Sequence, residues 1–279
     1  MKKILFYILL IASTTSSLLA QTEGSTESHE YKTVDSVTLH LNIYRPSEKT
    51  SDELLPAVIF FFGGGWVSGT VDQFKPHCQF LASQGIIGIT ADYRVKNKHG
   101  TTPLDAIMDA KSAMRWLKKN GPELGIDPKR IVAAGGSAGG HLAAATATID
   151  EFNDPSDDFT IDPTPVALIL FNPVLNTNML IDRFLNEESS YKASPINFID
   201  EEVPPTLIFH GTDDQLVPYD SMLEFQRKMQ EKGNYCEVIL FGGMRHAFFN
   251  KGANDDRPFN RTLVLMIQFI DEFVLRVVK

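Results

Sequence analysis

The sequence predicts an α/β fold, a mostly parallel β-sheet flanked by helices, and three observations carry that prediction. Short apolar runs rich in Val, Ile and Phe recur along the chain and mostly lack polar alternation, as strands covered on both faces require. Between them lie stretches with apolar residues at helical spacing. The length, 279 residues with 43% of them hydrophobic, suits one sizeable domain.

The elements follow in order. Lys2 and Lys3 precede an apolar run over 4–12 and a small, polar stretch that ends Leu18-Leu19-Ala20. This pattern over 1–20 reads as a secretory signal peptide, too short in its apolar part to span a bilayer. No cysteine lies near the cut, so the expectation is an exported protein, periplasmic or extracellular, with no stable membrane anchor after cleavage. Residues 21–30 read as a polar tail, and 31–279 as a single domain. Val37, Leu39, Leu41 and Ile43 alternate with polar residues, as in a strand with one wet face. The buried strands are expected at 55–62, 86–93, 131–134, 166–171, 206–210 and 236–241. Ala106, Ala110, Ala113, Met114 and Leu117 mark one helix face, and 221–232 and 261–278 behave similarly. Asp127-Pro128 reads as a turn before the 131–134 strand. The stretch 175–205, just before the 206–210 strand, is too long for a simple connection and reads as a small cap or a substrate-facing insertion.

Charge and cysteine content exclude several partners. With 26 Lys+Arg against 35 Asp+Glu the net charge is −9, which opposes binding to nucleic acid or to anionic lipid. Two cysteines, Cys78 and Cys236, exclude a disulfide scaffold and a four-thiolate zinc site. Export permits a bridge between them; two buried free thiols is the plainer reading.

Gly135-Gly136-Ser137-Ala138-Gly139 fits G-x-S-x-G, with an apolar strand leading in and a helix-forming stretch leading out. A strand that turns sharply into a helix needs small residues around the turn, and the serine then projects at a helix N-terminus that favours developing negative charge. A serine hydroxyl is a weak nucleophile at neutral pH and needs a histidine oriented by a carboxylate. Three histidines follow Ser137: His141 lies on the helix of the turn, His210 closes a strand, and chain order selects His246. The carboxylate comes from Asp213-Asp214 in the loop after the 206–210 strand. Phe62-Gly63-Gly64-Gly65-Trp66, after the 55–62 strand, offers main-chain N–H groups for an oxyanion.

These residues, with Asp92-Tyr93-Arg94, Asp109-Ala110, Arg115-Trp116-Leu117, Gly125-Ile126-Asp127-Pro128 and His210-Gly211-Thr212, resemble the hormone-sensitive-lipase-like and feruloyl/acetyl-xylan-esterase-like carboxylesterases of the α/β-hydrolase superfamily. The resemblance runs over about 55–249. It implies the α/β-hydrolase fold, Ser137 as nucleophile, His246 as general base and acid, and Asp214 rather than Asp213 as the orienting carboxylate. It further implies an oxyanion hole from the N–H groups of Gly64, Gly65 and Ala138. Arg94, His141 and His210 read as buried, bonded structural groups. Where the family usually has His before the glycines this chain has Phe62, so packing or backbone bonds must hold the loop. Phe61, Phe62 and Trp66 are candidates for an apolar acyl pocket, Trp66 foremost.

The expected function is a secreted serine carboxylesterase acting on small acyl esters, acetyl or feruloyl, of a small molecule or an oligosaccharide. The triad and oxyanion hole call for no metal and no cofactor. Two alternatives stand beside it: a prolyl-oligopeptidase-type peptidase, which lacks its propeller-length segment here, and a non-catalytic carbohydrate-binding homologue, which would be expected to have lost a triad member. Oligomeric state is left open by the sequence.

Overall fold

The apolar runs become strands of one eight-stranded sheet in the computed structural model, which describes residues 25–47 and 53–276. The leader over 1–20 lies outside the described residues. In chain order the elements are β1 (Thr26–Val34), β2 (Val37–Tyr44), β3 (Leu55–Phe61), α1 (Lys75–Ser83), β4 (Ile87–Ala91), α2 (Lys96–His99), α3 (Pro103–Asn120) and β5 (Ile126–Gly136). There follow α4 (Ala138–Thr148), β6 (Ala167–Phe171), α5 (Glu187–Lys192), β7 (Thr206–Gly211), α6 (Asp220–Glu231), β8 (Cys236–Phe241) and α7 (Arg257–Ile270). The spatial order is β1-β2-β4-β3-β5-β6-β7-β8. β1 and β2 run antiparallel to their neighbours, and all pairings from β4 to β8 are parallel.

Alternate strand residues feed two apolar layers, which is why the runs lack polar positions. In β3, Ala57, Ile59 and Phe61 face the apolar layer covered by α3, α4 and α6, to which Ala106, Ala110, Met114, Leu142, Met222 and Phe225 belong. Val58 and Phe60 face the layer covered by α1 and α7, through Leu81, Leu263, Met266 and Ile270. Each such large side chain, fully buried, contributes roughly 1.5–3 kcal/mol. Thr102 and Asp105 form a capping box at the start of α3, with Pro103 in its first turn. Two charged residues of that helix are buried whole, Asp109 and Lys111, and Asp109 takes Arg94 Nε and Nη2 at 2.8 Å each and Lys32 Nζ at 2.9 Å.

Three expectations are corrected. The polar segment 21–30 is not all tail, because Thr26–Glu30 pair with β2. β1 is an edge strand with much of its surface wet, so it carries no apolar run to betray it. Asp127-Pro128 lies inside β5, where Leu55 pairs with Ile126 and a register shift between Leu55 and Ala57 absorbs the irregularity. The C-terminal helix starts earlier than expected, at Arg257, and gives way to a π-helical turn at Asp271–Leu275. Cys78 and Cys236 are both free and buried. Among the described residues no helix is long and apolar enough to cross a membrane.

Registration then decides where chemistry can gather. Phe61 pairs with Gly135, Gly136 with Phe171, Phe171 with Phe209, and Gly211 with Phe241. The loops that leave β3, β5, β6, β7 and β8 therefore open on one edge, at the carboxyl ends of the parallel strands.

Candidate active site

The turn between β5 and α4 holds Ser137 at φ 55°, ψ −117°, a conformation side chains disfavour. Three backbone bonds fix it: Ser137 N–H donates to Phe171 O at 2.9 Å, and Ser137 O accepts from His141 N at 3.0 Å and Val174 N at 3.2 Å. Glycine is required at 139, where a Cβ would lie 2.0 Å from Phe61 O. α4 begins at Ala138, so its N–H lacks an intrahelical acceptor and faces the same edge.

The loops after β7 and β8 are zipped together: Asp213 N donates to Met244 O at 3.0 Å, and Gly243 N to Thr212 Oγ1 at 2.8 Å. This brings Asp214, not Asp213, to His246, with Oδ2 2.6 Å from Nδ1. The other oxygen of Asp214 accepts from Leu216 N at 2.9 Å and Val217 N at 3.0 Å. Burial alone would raise this carboxyl, but the bonds from His246 and from the two backbone N–H groups outweigh it and hold it below its ordinary value. It is ionised at neutral pH and fixes the His246 tautomer with the proton on Nδ1 and the lone pair on Nε2. Ser137 Oγ makes no hydrogen bond among the described residues. His246 Nε2 instead lies 3.4 Å from Asn172 Nδ2.

In the glycine loop Gly64 has φ 136° and a Cβ there would sit 1.9 Å from Ser68 O. Gly63 packs against the nucleophile, since a Cβ on it would lie 3.4 Å from Ser137 Cβ. The loop is held in three ways. Phe62 stacks on Tyr93 at 4.1 Å, Tyr93 Oη donates to Phe62 O at 2.7 Å, and Gly63 N donates to Gln73 Oε1 at 2.7 Å. Among the described residues the N–H groups of Gly64 and Gly65 donate to no protein acceptor, so they remain available to an oxyanion.

The expected acyl-pocket aromatics lie deeper than the sequence reading has them. Phe61, Phe62 and Trp66 are at most 2% exposed. A left-handed turn at Trp66, φ 58°, swings its ring inward, edge-on to His141 at 5.0 Å and to Phe184 at 5.7 Å. Trp66 is thus a core residue under the site. The segment 175–205 forms two 3₁₀ turns around α5, tied internally by Ser190 Oγ to Thr177 O at 2.7 Å and to the nucleophile helix by His141 Nε2 against Ala193 O at 2.7 Å. It reaches the site: Arg183 Nη1 is 3.4 Å from where a Cβ on Gly65 would stand. His210 Nε2 meets Val217 O at 2.9 Å behind Asp214.

Two residues escape sequence reasoning. Gln73 and Asn172 act across the fold, and no local motif marks either. Among the described residues no group of three or more His, Cys, Asp or Glu is placed to hold a metal ion.

Comparison with known proteins agrees with this geometry. The chain is 31% identical over 235 residues to the probable carboxylic ester hydrolase LipM of Mycobacterium tuberculosis, covering 75% of this chain and 53% of the relative. It is 30% identical over 231 residues to isoprenylcysteine alpha-carbonyl methylesterase ICME of Arabidopsis thaliana, covering 74% and 53%. The chain therefore spans about half the length of these two relatives. Among solved structures, Thermogutta terrifontis esterase 2 phosphorylated by paraoxon superposes with a TM-score of 0.85 at 42% identity, over 88% of this chain and 94% of that one. The BD-FAE family model matches residues 41–170 and 170–229. With the eight-stranded sheet, the Ser137 turn and the Asp214–His246 pair all in place, the chain belongs to the BD-FAE family of hormone-sensitive-lipase-like α/β hydrolases.

Proposed function

We propose that this protein is an exported serine carboxylesterase that removes small acyl groups, acetyl or feruloyl, from a carbohydrate. The observation that carries the hydrolase reading is the 2.6 Å Asp214–His246 bond on the same sheet edge as the strained Ser137. Ser137 Oγ attacks the ester carbonyl as His246 Nε2 takes its proton. The oxyanion is met by the N–H groups of Gly64, Gly65 and Ala138. The imidazolium, stabilised by Asp214, returns the proton to the leaving alcohol, and the acyl group stays on Ser137. Water then repeats the sequence and frees the acid. The hydroxyl and Nε2 come into contact when substrate closes the site, since such bonds are often unmade in an empty site.

Support for short acyl groups comes from the structures of Thermogutta terrifontis Est2 with propionate and with butyrate bound, at 40% and 39% identity. The carbohydrate part rests on the leader-like segment over 1–20, because exported esterases reach polymers that do not enter a cell. The test is release of acetate or ferulate from acetylated and feruloylated xylo-oligosaccharides, run beside p-nitrophenyl esters. Turnover of aryl esters alone removes the carbohydrate assignment. Ser137→Ala is expected to fold and to lose at least about 10³ in rate, and unchanged turnover removes the serine mechanism.

A further inference from the structure

Asn172 stands immediately after β6, fully buried and at φ 36°, a left-handed conformation that asparagine tolerates better than most residues. Its position is central to the site. The preceding residue, Phe171, accepts the Ser137 N–H, and Val174, two residues on, donates to Ser137 O. The same short segment thus fixes the nucleophile's backbone. Asn172 itself donates its N–H to Phe209 O at 2.7 Å, which locks it to β7 and so to the strand that bears the Asp214 loop. Its side chain turns the other way: Oδ1 accepts the Ala247 N–H at 2.9 Å, and Nδ2 lies 3.4 Å from His246 Nε2.

The amide orientation is settled by Ala247. A backbone N–H needs an acceptor, so the oxygen faces Ala247 and the NH₂ group faces the imidazole. An N–H beside Nε2 suits the neutral ring, whose lone pair can accept, and opposes the imidazolium, whose own proton would meet another donor. We propose that Asn172 is a positioning residue of the hydrolytic site: it clamps the His246 loop to the segment that holds Ser137, and its amide N–H group, 3.4 Å away, faces Nε2 as a donor to the ring's lone pair. The ionisable groups facing His246 are Asp214, at 2.6 Å, and behind it His210, whose Nε2 is 3.5 Å from the same Asp214 oxygen. Neither is altered by a change at 172, so a shift in pH dependence reports on the amide.

This rests on the serine-esterase reading and is tested within it. Asn172→Asp is nearly isosteric: it keeps an acceptor for the Ala247 N–H and replaces the donor beside Nε2 with a carboxylate oxygen. That oxygen favours the imidazolium, which cannot take the serine's proton. The expected result is a kcat at about pH 7 reduced at least about tenfold, with KM within about threefold. The acid limb of the kcat profile moves up by about 1–3 pH units, and activity returns at high pH. The added charge raises the limb whenever position 172 faces Nε2, so an unmoved limb in Asn172→Asp overturns the geometry on which the proposal stands. The deciding variant is Asn172→Gly, which accepts the left-handed backbone and removes the amide without adding a charge: its limb is expected to move up by less than that of Asn172→Asp, whereas a purely structural role predicts a limb unmoved from the wild type, and that result overturns the proposal. Failure of the underlying reading looks different: no wild-type ester turnover, or Ser137→Ala as fast as wild type.

Discussion

His77 on α1 is the most exacting test of the packing. Its side chain is fully buried, neither ring nitrogen has a partner among the described residues, and Phe74, Phe259, Phe171 and Phe60 surround it with ring centroids 4.9–5.8 Å away. Burial pushes it from 6.5 down to about 3. Because the folded value is the lower one, the unfolded chain takes up a proton below pH 6.5 that the folded chain refuses. The stability so held is complete above 6.5 and is lost as the pH falls towards 3. Each pH unit below 6.5 is worth about 1.4 kcal/mol, so at about pH 4.5 the loss through this one residue is about 3 kcal/mol. The perturbation is His77→Leu, of similar volume and without titration. Urea unfolding of both proteins at about pH 7.5 and pH 4.5 gives the two losses. That of the wild type is expected to exceed that of the variant by about 3 kcal/mol. His141, also pushed down by burial, to about 4, is present in both and cancels. Equal losses would refute the reasoning, since they would mean that the phenylalanine cage admits a charge or a water to its centre.

Other expected outcomes follow from the site and its supports. Asp214→Asn leaves a neutral acceptor at 2.6 Å from Nδ1 and admits the wrong tautomer, so kcat on p-nitrophenyl acetate should fall roughly 10³–10⁴-fold with little change in KM. Gly64→Ala places a methyl 1.9 Å from Ser68 O at φ 136°; the loop must move, and kcat should fall about 10²–10³-fold as an oxyanion donor is displaced. Asp109→Ala takes from the buried Arg94 its two 2.8 Å bonds and leaves it, among the described residues, only Asp105, at 3.4–3.7 Å, while Lys32 keeps Asp154 at 2.6 Å; the loss should cost about 3–5 kcal/mol in urea unfolding.

What could be read from the sequence was whatever has a period or a local motif. β3 to β7 announce themselves because both sheet faces are covered, and the Ser137 turn because it needs glycine on both sides. Chain order alone picks His246, and that choice meets Asp214 in space. Edge strand β1 has no such signature: its first five residues pair with β2 and stay largely exposed, so Thr26-Glu27-Ser28-His29-Glu30 looks like any polar leader remnant. The inward turn of Trp66 was equally invisible, since a left-handed φ at a tryptophan is set by the Lys96 and Asn97 N–H groups that hold Trp66 O and Val67 O at 2.9 and 3.0 Å. Asn172 bonds to His246, 74 residues away, and Gln73 joins Gly63 to Asn250, 177 residues beyond it, links that no local spacing marks.

Phe62 shows how such distant groups replace a missing local one. An imidazole before the glycines can tie their loop by its own hydrogen bonds, and a phenyl ring cannot. Packing supplies part of the restraint, because the ring lies on Tyr93 at 4.1 Å and a Cβ on Gly69 would come within 2.4 Å of it, so ring and loop are in close contact. The polar part passes to two other residues. Tyr93 bonds the Phe62 carbonyl, and Gln73, itself held by Asn250 Oδ1 at 3.1 Å, takes the Gly63 N–H. Asn250 follows shortly after His246 in the same chain segment. The oxyanion loop is therefore anchored through Gln73 to the histidine loop, as Asn172 anchors the histidine loop to the nucleophile. With a histidine at 62 the glycine loop would hold itself; with phenylalanine it depends on the segment that carries the base, which makes the alignment of donors, base and nucleophile one mechanical unit.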